Sequence, residues 1–266
     1  MMKWIKRIVL GLVGLIGLFI LTLAGFIIFD TLFGQSSTEL TNVAYTDSEG
    51  TELYGYLAKP EGEGPFPAVL MIHEWWGLNE GIIVLADALA EEGYIVLAAD
   101  AYRGRLTSQI PRALWMRLTT PEEQVFGDLD VALEYLQSLP EADAERTATM
   151  GFCFGGEHSL QLGLRQSERL AMTIMYYGAV ETNPELLRPL IDNQPVLGIF
   201  AEEDQQIFVD EVLEFEAALN SLNITNQITI YPDVGHAFIN EENFNQPGTA
   251  GDAWQEAIEF LEDNLQ

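Results

Sequence analysis

A single cysteine, Cys153, stands in the 266 residues, so no intramolecular disulfide can form and cystine carries no information on compartment. A lone cysteine is either a small buried hydrophobe or a reactive thiol, and its neighbours decide which. Basic residues are also scarce, 12 against 41 acids. Lys3, Lys6 and Arg7 all precede the first acid, Asp30, so the rest of the chain sets nine bases against 41 acids, a net charge of −32. Lys59 is the only lysine in that part. A domain so charged repels polyanions, which excludes nucleic acid as a partner and disfavours anionic membrane surfaces. A well-hydrated surface accounts for the excess, and adaptation to high salt is the sharper alternative. Histidine is rare as well, with His73, His158 and His236 the only candidates for a base working near neutral pH. Disorder is not expected, because 48% of residues are hydrophobic and 20% charged.

Long apolar runs are absent but for one. Residues 8–29 carry no charge, and 22 residues of helix span about 33 Å, enough for a bilayer core of about 30 Å. The bases ahead of the run place Met1 in the cytoplasm and the acidic domain across the membrane, with Trp4 near the interface. The rival is a cleaved signal peptide, which would release a secreted domain. Its apolar core is usually about 7–15 residues and ends in small residues, whereas Phe26 to Phe29 is bulky. The organisation expected is a cytoplasmic tip and anchor over 1–33, a polar linker over 34–39, and one domain over 40–266.

The domain alternates strand and helix signals. Residues 43–46 and 52–58 read as an antiparallel hairpin turning at Gly50. Continuous apolar runs at 67–73 and 94–99 read as strands buried on both faces. Strands are also expected at 147–152, 171–177, 194–200 and 227–231. Helices are expected at 82–92, 121–139 with Thr120 as cap, 154–165, 209–222 and 252–265. This rhythm implies a doubly wound, mostly parallel sheet with helices on both faces. The stretch from Tyr102 to Thr120, containing Trp115 and Met116, is expected to form a lid or pocket wall.

Three segments carry chemistry. Gly151-Phe152-Cys153-Phe154-Gly155-Gly156 ends a strand and opens a helix, the setting of a nucleophile elbow. The turn is too tight for flanking side chains, and the helix N-terminus behind the sulfur should lower the thiol pKa. His236 follows the last strand in a polar loop, where a general base is needed. His73 and His158 are more often structural in such positions. Asp204 closes the Ala201-Glu202-Glu203-Asp204 stretch after a strand and is preferred to Glu202 and Glu203 as the imidazole's partner. The order 153, 204, 236 is the nucleophile–acid–histidine order of the α/β-hydrolase fold. The loop His73-Glu74-Trp75-Trp76-Gly77 should give one oxyanion amide, from Trp75, to join that of Phe154. Glu74 would lie beside the thiol, and the two tryptophans would line a pocket.

Together these residues resemble the dienelactone hydrolase family over about residues 40–266. The matching segments are HEWWGLN at 73–79, ADAYRGR at 99–105, GFCFGG at 151–156, AEED at 201–204 and GHAF at 235–238. The resemblance implies an α/β-hydrolase fold and a triad of Cys153, Asp204 and His236. It also implies that Glu74 contacts the resting thiol and moves away when substrate binds. A small ester, lactone or thioester is the implied substrate, attacked to form an acyl-enzyme, with no metal or organic cofactor. Trp76, Tyr102, Arg103, Arg105 and Phe238 are the implied substrate contacts. Two positions depart from the pattern. The family grips a substrate carboxylate with two arginines, one near Arg103 and Arg105; the other position holds Asn240, leaving room for a substrate without that carboxylate. The usual glycine at the start of the acid segment is Ala201. A non-catalytic extracytoplasmic scaffold and an acyltransferase are the alternatives.

Overall fold

The computed structural model describes residues 2–191 and 194–265. Met1, at the tip of the expected anchor, and Gln266, at the end of the expected domain, lie outside the described residues. The first helix, α1 (Met2–Phe33), is one uninterrupted, largely apolar rod, and from Trp4 onward most of its side chains stand exposed rather than buried in a core of the domain. A 3-10 turn at Ser37–Glu39 follows.

Among the described residues eight strands form one sheet: β1 (Val43–Thr46), β2 (Glu52–Ala58), β3 (Phe66–Ile72), β4 (Ile95–Ala99), β5 (Ala142–Phe152), β6 (Met172–Tyr176), β7 (Val196–Ala201) and β8 (Asn226–Tyr231). Their order is β1-β2-β4-β3-β5-β6-β7-β8. The β1–β2 hairpin is antiparallel and β2 runs antiparallel to β4, whereas β3 to β8 are parallel. The helices are α2 (Glu80–Glu91), α3 (Ile110–Thr119), α4 (Glu122–Ser138), α5 (Phe154–Arg165), the short α6 (Pro184–Leu187), α7 (Val209–Ser221) and α8 (Thr249–Leu265).

Alternation along β3 shows why these central strands are apolar throughout. Val69 and Met71 pack with Leu85 and Leu89 of α2 and Ile258 and Leu261 of α8. Leu70 and Ile72 point the other way, toward Leu129 and Leu133 of α4 and Leu162 of α5. Both faces are therefore dry, and each such side chain contributes about 1.5–3 kcal/mol through burial. A third cluster packs α7 through Phe215 and Leu219 onto β7. Helix α2 starts where Asn79 accepts the Ile82 N–H and stops before Gly93 at φ +99°.

Two local expectations differ from the structure. Thr120 does not cap α4, because its hydroxyl donates to Met116 O and accepts from Arg105, and Pro121 stands at the N-cap instead. Within the stretch expected as a lid or pocket wall, residues 110–119 form a regular helix, α3, with Pro111 in its first turn, and its Leu114 and Arg117 face the cavity described below. The polar stretch after α1 is no free linker. Ser36 Oγ donates to Gly104 O at 3.0 Å and Ser37 Oγ to Asp100 Oδ2 at 2.7 Å, which docks it on the loop after β4.

Candidate active site

The site lies at the C-terminal ends of the parallel strands, where doubly wound sheets open a crevice. Strand β5 delivers Cys153 directly into α5. Cys153 sits at φ 53° and ψ −112°, a conformation that costs on the order of 1–3 kcal/mol for a residue with a side chain. Its neighbours make the turn feasible only as glycine. A Cβ on Gly151 would stand 2.0 Å from Gly155 O, and one on Gly155 would stand 2.1 Å from Ile72 O. The Cys153 N–H donates to Tyr176 O at 3.0 Å, fixing the bend to β6.

Two further loops converge on the sulfur. His236 Nε2 is 3.0 Å from Cys153 Sγ, and its Nδ1 is 2.7 Å from Asp204 Oδ2. Asp204 is buried, and its other oxygen accepts the N–H groups of Gln206 at 2.7 Å and Ile207 at 3.1 Å. The turn thus leaves only Oδ2 for the imidazole. An acceptor at Nδ1 selects the tautomer with the proton there, so Nε2 presents a lone pair to the thiol. Glu202 and Glu203 are exposed, out of reach of the ring. Asp233 and Ala237, on either side of His236, adopt φ near +58° and +56°, which turns the loop sharply around the ring. Tyr177 packs edge-on against the imidazole with ring centres 5.2 Å apart.

The sulfur's electrostatics differ from the expectation. Burial pushes the Cys153 thiol up to about 12, the charge of Glu74 adds to this, and the Phe154 N–H at the helix start offsets it only in part. Desolvation outweighs the helix end because the sulfur is largely shielded from water. Glu74 is itself raised to about 7, first by burial and then by the nearby charge of Glu241. Among the described residues no hydrogen bond joins the Glu74 carboxyl to the sulfur; the thiol's partner is His236. Neither the Trp75 nor the Phe154 amide has a backbone acceptor among the described residues, and the Phe154 N–H faces the sulfur.

A cavity of about 340 Å³ opens over Sγ, lined by Trp75, Leu114, Arg117, Glu157, Tyr177 and Ile207 along with the thiol and imidazole. The five residues expected to touch substrate lie outside this lining. Arg103 is held by both its nitrogens on Asp128, at 2.7 and 2.8 Å. Arg105 donates to Tyr102 O and Thr120 Oγ1 while its guanidinium lies over the Tyr102 ring. Tyr102 is buried beneath Phe154. Trp76 packs edge-on behind Trp75, and Phe238 packs on Tyr177 and Tyr231.

The cation at the cavity is Arg117, which the sequence reading did not single out. Its Nη2 lies 3.3 Å from Glu157 Oε2, and its guanidinium lies over the Phe154 ring at 5.4 Å. Burial raises the Glu157 carboxyl, and Arg117 holds it back. Spacing could have flagged both residues. Glu157 is one helical turn beyond Cys153, and Leu114 and Arg117 stand three apart on one face of α3. His73 and His158 are structural. His73 Nε2 accepts the Ala101 N–H at 3.2 Å, and His158 Nδ1 is 2.8 Å from Phe154 O. Among the described residues no group of three or more His, Cys, Asp or Glu is placed to hold a metal ion.

Comparison with known proteins agrees with this architecture. The sequence profile of the dienelactone hydrolase family matches residues 53–265. A protein of Aquifex aeolicus named "Putative carboxymethylenebutenolidase" is 28% identical over 231 residues, covering 83% of this chain and 97% of its own. One of the same name from Salmonella typhimurium is 30% identical over 245 residues, covering 86% and 88%. The crystal structure titled "Putative Dienelactone Hydrolase" from Klebsiella pneumoniae superposes with a TM-score of 0.70 at 28% identity, covering 83% of this chain and 99% of that one. An α/β sheet of this order, a cysteine at the strand–helix elbow and a matching profile along most of the chain lead to one assignment: this chain belongs to the dienelactone hydrolase family of α/β-hydrolases and is a carboxylic ester hydrolase.

Proposed function

We propose that the chain cleaves small esters, lactones or thioesters through a Cys153–His236–Asp204 triad and an acyl-enzyme. The observation that carries this reading is the pair of contacts at His236, 3.0 Å to Sγ and 2.7 Å to Asp204. A thiol held near 12 is almost wholly protonated at neutral pH, so it reacts only as its proton leaves. Nε2 takes that proton while Sγ bonds to the substrate carbonyl carbon. Asp204 stabilises the imidazolium. The carbonyl oxygen becomes an oxyanion held by the Trp75 and Phe154 amides, each worth about 3 kcal/mol. Collapse breaks the bond to the alkoxide or thiolate leaving group, which takes the proton from His236. Water, deprotonated by the same imidazole, then attacks the acyl-sulfur carbon, and Sγ departs with the proton handed back by the imidazolium, which restores the thiol and the neutral ring. In its ionised form Glu74 opposes thiolate formation, so a substrate that displaces or neutralises it eases the first step.

Residues 8–29 are the proposed membrane span, with the amino terminus cytoplasmic and the domain at 40–266 on the far side. The length of the apolar helix and the bases ahead of it support this. Cleavage after a signal sequence is the competing outcome, distinguished by the mass of the mature protein.

The test is turnover of chromogenic esters by the full chain in detergent. Cys153→Ala should lower kcat/KM at least 1000-fold while the thermal transition stays in place, and His236→Ala should do the same. Full activity in Cys153→Ala refutes the assignment.

A further inference from the structure

The apolar rod α1 does not meet the domain on a loose tether. Thr107 Oγ1 donates to Asp30 Oδ2 at 2.8 Å, and Arg112 Nε lies 3.9 Å from the same oxygen, with both the Asp30 and Arg112 side chains largely shielded. The bonds from Ser36 and Ser37 to the loop after β4 extend this seam. Asp30 is the first charge past the apolar run, so it marks the polar edge of any bilayer the run crosses. Helix α3 carries Arg112, so it lies at that same level.

Helix α3 has two faces. Arg112, Ala113 and Met116 are buried against the domain. Ile110, Leu114, Trp115 and Leu118 point outward, with Ile110 63% and Leu118 73% exposed. At about 100° per residue these four share one arc of about 140°. Four large apolar side chains on one exposed face are costly in water unless something covers them.

Charge tells what covers them. Residues 101–121 contain no acid, the longest such stretch after the apolar run, in a chain of 41 acids. They also hold four of the nine bases that follow the apolar run: Arg103, Arg105, Arg112 and Arg117. Three of these are paired, with Asp128, Asp30 and Glu157. The outward face is therefore apolar and close to neutral, suited to a zwitterionic lipid surface, while the rest of the domain is repelled from anionic ones. A tryptophan at the edge of such a face suits the headgroup level. Leu114 belongs to both surfaces, being exposed on this arc and lining the cavity over Sγ.

We propose that α3 lies in the bilayer interface beside the exit of α1, and that the Cys153 cavity takes amphiphilic esters of fatty acyl chains directly from the membrane. The inference rests on the proposed anchor and triad. A chain leaving the lipid has only α3 to cross before its ester reaches the sulfur.

The experiment uses the full chain in phosphatidylcholine vesicles and has two arms. In the first, phosphatidylcholine brominated along its acyl chains quenches tryptophan emission. Wild type should lose at least a fifth more emission than Trp115→Phe. In the second, kcat/KM is measured for p-nitrophenyl laurate dissolved in the vesicles and for water-soluble p-nitrophenyl acetate. The laurate-to-acetate ratio should fall tenfold or more in the double variant Ile110→Ser, Leu118→Ser. Equal quenching in wild type and Trp115→Phe overturns the membrane contact even if both esters are cleaved. An unchanged ratio overturns delivery from the bilayer. If neither ester is cleaved while Trp115 is quenched, the triad reading fails and the substrate assignment with it, and the interfacial position of α3 is upheld.

Discussion

Gly155→Ala should damage both stability and catalysis, and the structure gives the size of the effect. The added methyl carbon would stand 2.1 Å from Ile72 O, 2.6 Å from Ile72 C and 2.7 Å from His73 O. Real contacts of this kind do not fall under 3.0 Å, so the N-terminus of α5 must retreat from β3 by 3.0 − 2.1, or 0.9 Å. Both partners are backbone at the C-terminal end of the central strand β3, where no side chain can swing aside. Overpacking of a tight interior costs about 1–3 kcal/mol. For a domain of this size that is about 2–12 °C in Tm. The same movement carries Sγ and the Phe154 amide away from His236, and a displacement of about 1 Å can cost about 100-fold in rate. The assay pairs thermal unfolding with kcat/KM on a chromogenic ester. Gly127→Ala is the control. It lies on the exposed face of α4 with nothing within 4 Å of the new carbon, and should stabilise by about 0.4–1 kcal/mol through helix propensity and chain entropy. If Gly155→Ala unfolds with the wild type and turns over ester at the wild-type rate, the elbow packing described above is wrong.

Glu74→Gln removes the second cause of the raised Cys153 pKa, so thiol alkylation by iodoacetamide should begin at lower pH than in wild type; an unshifted alkylation profile would separate Glu74 from the sulfur electrostatically. Stability should fall on acidification through His158. The folded chain refuses a proton until about pH 4, whereas the unfolded chain takes it near 6.5, so the loss runs from pH 6.5 down to about 4. At about 1.4 kcal/mol per pH unit this is about 3 kcal/mol across that window. Denaturant unfolding of His158→Gln at both ends of the window should show that slope reduced, and an unchanged slope would count against it.

Strands were legible because their burial is encoded twice, by apolar runs and by the punctuation between them. The central strands of the sheet emerge within a residue or two of their expected ends, except β5, which starts at Ala142 rather than at 147. Its extra residues, Ala142 to Arg146, include three charged side chains and only one buried position, so hydrophobicity could not reveal them. Helix α3 was hidden for a related reason. Its sequence mixes Arg112, Trp115 and Arg117 with aliphatics, and only the packing of Met116 and Ala113 on the domain shows which face is inner. The direction of the Cys153 pKa was also beyond the sequence. A helix N-terminus can be read from a motif, but the depth of burial that overrides it cannot.

By itself the sequence determined the elbow, since a cysteine between glycines at a strand–helix junction depends only on local backbone sterics. It likewise determined the apolar helix and the alternating sheet, which follow from periodicity and run length. Tertiary structure alone decided which groups meet. It brought residues 153, 204 and 236 within hydrogen-bond reach, left Glu202 and Glu203 in solvent, turned Arg103 to Asp128 and Arg105 to Thr120, and gave the cavity to Arg117. Charged side chains are long and find partners through space, so their allegiance depends on neighbours supplied by distant parts of the chain rather than on their own position along it.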